Sequence, residues 1–440
     1  MSRTRDRELR DRARKVIPDG MYGHQSVRLL PDEFPQFFSK AKGARLWDVD
    51  GNEYVDYASA YGPNLFGYGF EPVDRAAAVQ QARGDTLTGP SEVMVELAEA
   101  FVGMVSHADW AVFCKNGSDA TTMALVVARA HTGRKTILVS RHAYHGSAQW
   151  CTPRPAGILP EDRAHIVHFD YNDADSLTDA VRAHAGDVAA VFATPFRHEV
   201  FHDQAEPNAE FARAARALCD ESGALLVVDD VRAGFRLERD CSWARVGVQP
   251  DLSTWGKCIA NGYALSALLG AEKARRAASE IYVTGSFWFS ATAMAAALET
   301  LRQVRESGYL EHIVATGKRL RDVLERQAAG YGFSLRQTGP VQMPQILFND
   351  DPDLRVGYAW AGECVRRGVY LHPYHNMFLS AAHGDQELAR TFEATDLAFA
   401  SVKQRRAALE PVSRLAGLLR LRDGAVPASD PCGASAVKKR

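Results

Sequence analysis

Lys257 lies in the small-residue turn Ser253-Thr254-Trp255-Gly256-Lys257-Cys258-Ile259-Ala260-Asn261-Gly262, downstream of the carboxylate pair Asp229-Asp230 that ends the apolar run Ala224-Leu225-Leu226-Val227-Val228. A lysine amine can form a Schiff base with an aldehyde cofactor. A carboxylate at the end of a buried strand can pair with a pyridine nitrogen and keep it protonated, so that the ring accepts electrons from a carbanion. Pyridoxal 5'-phosphate (PLP) needs both groups, which makes Lys257 and Asp229 the candidate catalytic residues.

Such a cofactor also needs a place for its phosphate and a partner for its ring. The turn Cys114-Lys115-Asn116-Gly117-Ser118-Asp119-Ala120 joins a predicted strand to a predicted helix. Gly117 permits close backbone approach, Ser118 offers a hydroxyl, and the helix start directs free N–H groups at an anion. The same turn also reads as an ordinary strand–turn–helix with a Ser/Asp cap. After the next strand comes Arg141-His142-Ala143-Tyr144-His145-Gly146, where Tyr144 can stack on a flat ring. His145 is open between a general base and a packing or orienting residue. Cys258, next to Lys257, reads as a small buried residue rather than a nucleophile.

The elements that must hold these residues are legible as alternating runs. Ala111–Cys114, Thr136–Ser140, Val188–Ala193 and Ala224–Val228 are apolar and predict strands. Ala120–His131 and Asn208–Ser222 predict helices, the second capped by Asn208 and stopped by Gly223. Strands separated by helices predict an α/β fold with a mainly parallel sheet covered on both faces. Ligands in such sheets bind beyond the carboxyl ends of the strands, where each of the chemical motifs falls. Gly43–Tyr57 predicts a hairpin turning at Asp50-Gly51, and Ala293–Arg305 a long amphipathic helix.

The divisions expected are 1–70, an N-terminal segment packing with a small domain; 71–307, the PLP-binding large domain; 308–408, a smaller α/β C-terminal domain; and 409–440, a disordered tail, Pro-rich and polar from Val426 onward. The 440 residues carry 52 basic and 54 acidic side chains, a formal net charge of −2, which gives no reason to expect nucleic acid or a membrane surface. No apolar run reaches the roughly 18 residues of a membrane span, and the mixed-charge start Met1–Arg10 has no signal-peptide core. Seven cysteines without C-x-x-C or zinc-ligand spacing predict free thiols, no metal, and a cytoplasmic protein.

Taken in order, the motifs resemble the class III, fold-type I PLP-dependent aminotransferases, in the branch around glutamate-1-semialdehyde 2,1-aminomutase. The resemblance runs from Arg14-Lys15-Val16-Ile17-Pro18-Asp19-Gly20 and Trp47-Asp48-Val49-Asp50-Gly51 through Asn116–Thr121, Tyr144-His145-Gly146, Asp229-Asp230-Val231, Gly234-Phe235-Arg236 and Gly256-Lys257 to Gly285-Ser286. It implies a seven-stranded large-domain sheet with Lys257 as Schiff-base lysine and proton shuttle and Asp229 on the ring nitrogen. Val231 would lie under the ring and Tyr144 over it, with Asn116, Gly117 and Ser118 on the phosphate. Ser286 stands where the family's threonine reaches the neighbouring subunit's phosphate, implying a homodimer with shared active sites. Ser26-Val27-Arg28 aligns with the arginine that pairs with the mutase substrate's carboxylate, although Arg28 also reads as a surface residue after a turn. Tyr61 and Trp288 join Arg28 as candidate substrate contacts. The aromatics Phe287-Trp288-Phe289 suit either a pocket wall or a dimer core.

The departures from that pattern bear on the reaction. The stretch between His145 and Tyr171-Asn172-Asp173 is shorter than in the mutase by about a lid loop, and a mutase uses a lid to retain its intermediate. No carboxylate stands in Pro373-Tyr374-His375-Asn376-Met377-Phe378, Asp230 replaces the usual Glu, and Arg232 replaces an uncharged residue. These changes favour two-substrate transamination, from an amino acid donor such as glutamate to a keto or aldehyde acceptor of cyclic or sugar-like form. The alternatives are an isomerase of the aminomutase or epimerase type and a non-catalytic PLP-fold module.

Overall fold

The computed structural model describes residues 1–154, 156–200 and 202–422. Its central sheet has seven strands: β1 (Trp110–Cys114), β2 (Thr136–Ser140), β3 (Ile166–Phe169), β4 (Val188–Ala193), β5 (Leu225–Asp229), β6 (Leu252–Trp255) and β7 (Ser266–Gly270). Their spatial order is β1-β7-β6-β5-β4-β2-β3. The pairs β2–β3, β2–β4, β4–β5 and β5–β6 are parallel, and β7 runs antiparallel to both β1 and β6. This is the α/β architecture expected.

Strand β5 shows why the sheet forms. Leu226 and Val228 pack into one hydrophobic cluster while Leu225 and Val227 pack into another on the opposite face. All five residues of the strand are buried. Continuous apolar sequence is therefore what a doubly covered parallel strand requires. Helices α1 (Gly117–Thr132), α2 (Ala174–Ala183) and α3 (Ala209–Ser222) lie along the chain between these strands. The Asn208 side chain caps α3 by accepting from the Phe211 N–H at 2.6 Å, and Gly223 ends it at φ +70°. Helices α4 (Ala291–Glu306) and α5 (Tyr309–Gly330) follow the sheet.

A second sheet joins the two ends of the chain. Strands Phe38–Lys42, Arg45–Asp48 and Glu53–Asp56 are antiparallel neighbours, and Val369–Tyr370 adds to Glu53–Asp56 in parallel. The hairpin turns at Asp50-Gly51, where Asp48 Oδ1 accepts from the backbone N–H groups of Asp50 and Asn52.

One expectation requires correction. Residues 413–422, placed by sequence in a disordered tail, form a short 3-10 turn and the helix Ala416–Arg422. Leu415 is fully buried in a cluster with Leu30, Phe34 and Tyr358. Arg414 bonds the Leu30 carbonyl and pairs with Asp32 at 2.8 Å. One apolar anchor and one arginine therefore dock this segment, whereas the Pro-rich stretch from Val426 lies outside the described residues. Among the described residues no helix is long and apolar enough to cross a membrane, and no group of side chains is arranged to hold a metal ion.

Candidate active site

Strand β5 delivers Asp229 to its carboxyl end, where the side chain is held on several sides. His145 Nδ1 lies 2.7 Å from Asp229 Oδ2. Thr254 Oγ1 donates to Oδ1 at 2.8 Å, and the Val231 N–H to the same oxygen at 3.2 Å. The Thr254 contact follows from strand register, since Asp229 and Thr254 are direct partners across β5 and β6. His145 is buried, stacks against Trp150 with centroids 6.0 Å apart, and leaves Nε2 without a partner. Behind the acid in this way His145 is placed to orient it, one of the two readings open from the sequence.

Lys257 follows β6 directly. Its backbone sits at φ +48°, a left-handed conformation costly for a residue with a Cβ. Burial first, and then the nearby Arg232 charge, push its amine down to about 7, with Asp229 pulling the other way. At neutral pH a large share of the amine is therefore unprotonated and nucleophilic.

Val231 lies between two glycines whose missing side chains define a slot. A Cβ on Gly117 would come within 2.6 Å of Val231 Cγ1, and one on Gly256 within 3.3 Å of that atom and 2.7 Å of Ser266 Oγ. A Cβ on Gly146, at φ +121°, would meet Ser118 Oγ at 2.4 Å. The start of α1, the turn after β2 and the Lys257 turn thus close in around Val231. Asp119 Oδ2 accepts from Asn116 N and Nδ2, at 2.9 and 3.2 Å, fixing the first turn of α1. Ser118 Oγ accepts from the Ser147 N–H at 3.0 Å. The first N–H groups of a helix have no intrahelical acceptor, so those of Gly117 and Ser118 remain for an anion. An amine, a carboxylate, a flat slot and an anion cradle are the set a pyridoxal phosphate requires, and these residues fit it.

The open side of the pocket is made of residues that pattern reading found only in part. Tyr144 is 42% exposed, and burial is the main cause raising its hydroxyl pKa. The Tyr61 hydroxyl donates to the His24 carbonyl at 2.7 Å, and its ring meets His24 and His375 edge-on at 4.6 and 5.4 Å. Ser59, Ala60 and Tyr61 all have positive φ, a run of strained backbone leading into Gly62, where a Cβ would meet Lys257 Cδ at 3.3 Å. Burial, with Arg232 among the further causes, lowers the pKa of His24, His198 and His375. The histidines and Asn376 gave no signal because loops far apart in sequence carry them. Arg232 was visible only as an odd residue beside the acid pair.

Two expected contacts lie apart from this group. The Arg28 side chain is 54% exposed and ion-paired with Asp19, and no hydrogen bond or ion pair joins it to Lys257 or Tyr61. Trp288 packs over Gly285 and against the cluster containing Trp110 and Trp150. Ser286 lies on an exposed stretch with Tyr282, 92% exposed, and Phe287, 65% exposed.

Comparison with known proteins agrees with this geometry. Aminopentol aminotransferase of Sphingopyxis macrogoltabida is 65% identical over 408 residues, 93% of this chain and 97% of that protein. A glutamate-1-semialdehyde 2,1-aminomutase of Halobacterium salinarum is a more distant relative, 32% identical over 81% of this chain and 82% of its own length. The solved structure of the PLP internal aldimine form of the Sphingopyxis sp. MTA144 FumI protein superposes with a TM-score of 0.92 at 65% identity, covering 93% of this chain and 99% of that one. Residues 30–380 match the family described as aminotransferase class-III. The chain belongs to that family, and the chemistry gathered around Lys257 and Asp229 is that of a PLP-dependent aminotransferase.

Proposed function

We propose that this aminotransferase exchanges an amino group between a polyhydroxylated amine and a small amino or keto acid. The observation that carries the reading is the 65% identity to aminopentol aminotransferase along nearly the whole of both chains. An aminopentol is an amine bearing five hydroxyls. The pocket's neutral imidazoles, which can both donate and accept hydrogen bonds, suit such a substrate. Transamination runs in either direction, so the ketone of such a polyol is the corresponding acceptor, in place of the cyclic or sugar-like carbonyl expected from sequence. Glutamate is then one candidate for the amino acid side.

Bound PLP supplies an aldehyde for imine exchange and a ring that withdraws electrons from the substrate's reacting carbon. Lys257 would hold the cofactor through its amine and, when that amine is free, would carry a proton to and from the substrate's reacting carbon. Asp229, positioned by His145 and Thr254, would keep the ring nitrogen protonated. Asn116, Gly117 and Ser118 would hold the phosphate, and Val231 and Tyr144 would pack against the ring. We further propose a homodimer in which Ser286 completes the partner subunit's phosphate site. The exposed Tyr282 and Phe287 on the same short segment support this, because large exposed apolar side chains close together call for cover. A reducing compartment such as the cytoplasm suits the six described cysteines, all free thiols.

The test is to incubate the holoenzyme with a polyhydroxylated long-chain amine and either pyruvate or 2-oxoglutarate, following amino acid formation. Alanine or glutamate appearing with loss of the amine is expected. Turnover of ordinary amino acids with none of the polyhydroxylated amines would overturn the substrate reading. For the dimer, mixing Lys257→Ala with a Ser286→Asp variant is expected to restore activity in hybrid dimers, and no recovery would refute shared sites.

A further inference from the structure

Three arginines stand near enough to the candidate site to be compared. Arg28 is exposed and neutralised by Asp19. Arg236 is fully buried, bonded to the carbonyls of Leu379 and Gly62, and covered by the Phe378 ring at 5.2 Å. Both are structurally engaged. Arg232 differs. Its Nη1 donates to Asn376 Oδ1 at 2.5 Å and lies 3.4 Å from His375 Nε2. Among the described residues it has no ion pair, and its Nε and Nη2 have no hydrogen-bond partner.

The edge of the guanidinium formed by Nε and Nη2 is one of the forks that match a carboxylate with two parallel hydrogen bonds. Neither nitrogen is sealed from solvent without a partner, so this fork faces accessible space. That space belongs to the site, since Arg232 lies against His375, whose ring meets Tyr61 at 5.4 Å, and Gly62 beside Tyr61 approaches the Lys257 side chain. Burial lowers the Arg232 pKa to about 10, although Tyr144 and Asp229 pull the other way. Its direct partner, Asn376, is neutral, so no carboxylate is bonded to the guanidinium.

We propose that Arg232 binds the carboxylate of the small amino or keto acid, and so determines which of the enzyme's two substrates is the acid. Its place on the turn that follows Asp229 puts the fork within the group of residues around the candidate site, and we assign to it a carboxylate on the carbon next to the reacting one, which makes the partner an α-amino or α-keto acid. This deepens the polyhydroxylated-amine reading by assigning the other substrate's anchor.

The test compares L-alanine with alaninol, the same skeleton with a hydroxymethyl group in place of the carboxylate, as amine donors to the holoenzyme, following the cofactor's absorbance. At a pH well above the Lys257 titration, where its basicity no longer matters, Arg232→Gln is expected to raise the alanine KM by about 10- to 150-fold, the weight of a charge-assisted hydrogen bond, with alaninol changed less than about threefold. Inhibition by propionate, a carboxylate without an amine, should weaken in parallel, and Arg232→Lys, which keeps charge but loses the fork, should fall between. Equal loss for alanine and alaninol, or unchanged propionate inhibition, would overturn the assignment in favour of a role in holding the Asn376 loop. Because propionate inhibition does not depend on any polyhydroxylated amine reacting, failure of that substrate reading and failure of this one give different results.

Discussion

The lowered basicity of Lys257 can be measured directly. The amine falls from its ordinary 10.5 to about 7 through burial and the Arg232 charge. At pH 8 about 90% of such an amine is neutral, against about 0.3% for an ordinary lysine, a difference of roughly 300-fold in the reactive form. In protein freed of cofactor, reductive trapping of a small neutral aldehyde on Lys257, located by mass spectrometry, should therefore rise about tenfold from pH 6 to 8 and then level off. The exposed lysines should keep climbing to pH 10. Stability carries the same signature. The unfolded amine still binds its proton between about 7 and 10.5 while the folded one does not, so folding gains stability as pH rises through that window. At 1.36 kcal/mol per unit the full change is roughly 3–5 kcal/mol. Wild type should gain on Lys257→Met across that window and show a constant offset below it. Labelling of Lys257 that climbs in parallel with the surface lysines to pH 10 would refute this electrostatic account of the lysine.

Other predictions concern the parts around it. His145→Gln removes the 2.7 Å contact to Asp229. It should weaken PLP binding by about 10- to 150-fold, the range for a hydrogen bond to a charged group, measured by cofactor titration, with thermal stability little changed. Gly117→Ala places a Cβ 2.6 Å from Val231 Cγ1 and should cost about 1–3 kcal/mol by overpacking. Combining it with Val231→Ala should recover at least about 1 kcal/mol of that in a double-mutant cycle read by denaturation. Leu415→Ala empties a fully buried position in the C-terminal segment and should cost about 2–5 kcal/mol. A change below about 0.5 kcal/mol in denaturant unfolding would show that the segment does not dock.

What sequence revealed and what it hid follow one physical division. Strands β2 and β4 were legible because a strand buried on both faces must be apolar throughout, and α3 because its cap and stop residues have fixed chemistry. Strand β6, Leu-Ser-Thr-Trp, escaped because it is four residues long and its buried Ser253 and Thr254 are polar. Those polar atoms are satisfied by contacts from other elements. Ser253 Oγ pairs with His107 Nε2 at 3.0 Å, and Thr254 donates to Asp229. Lys257 and the Gly117 turn were legible because covalent and anion chemistry narrow the usable residues within one short segment. Of the opposite wall only Tyr61 was singled out, since His24 and His375 meet it only after the two ends of the chain fold together. For Arg28, alignment to a relative's pocket arginine does not say where the side chain turns. The Asp19 carboxylate nearby is what takes it.

The two unlike substrates pose an electrostatic problem that one residue goes far to answer. An acid needs a cation in the pocket, whereas a hydroxylated amine needs groups that both donate and accept hydrogen bonds. Protonated histidines would satisfy the first need and fail the second, because an imidazolium only donates. Burial holds His24, His198 and His375 below their ordinary basicity, and the Arg232 charge pushes each of them the same way. A single fixed guanidinium can thus be the acid's anchor and also help keep its neighbours neutral, so that they remain two-sided hydrogen-bonding groups. Lys257 is lowered by that same charge, which favours the free amine needed to hold the cofactor. It follows that losing Arg232 should be felt beyond the acid's affinity. The imidazoles and the lysine should all become more basic together, and the lower-pH limit of the reaction with an uncharged amine should move toward higher pH.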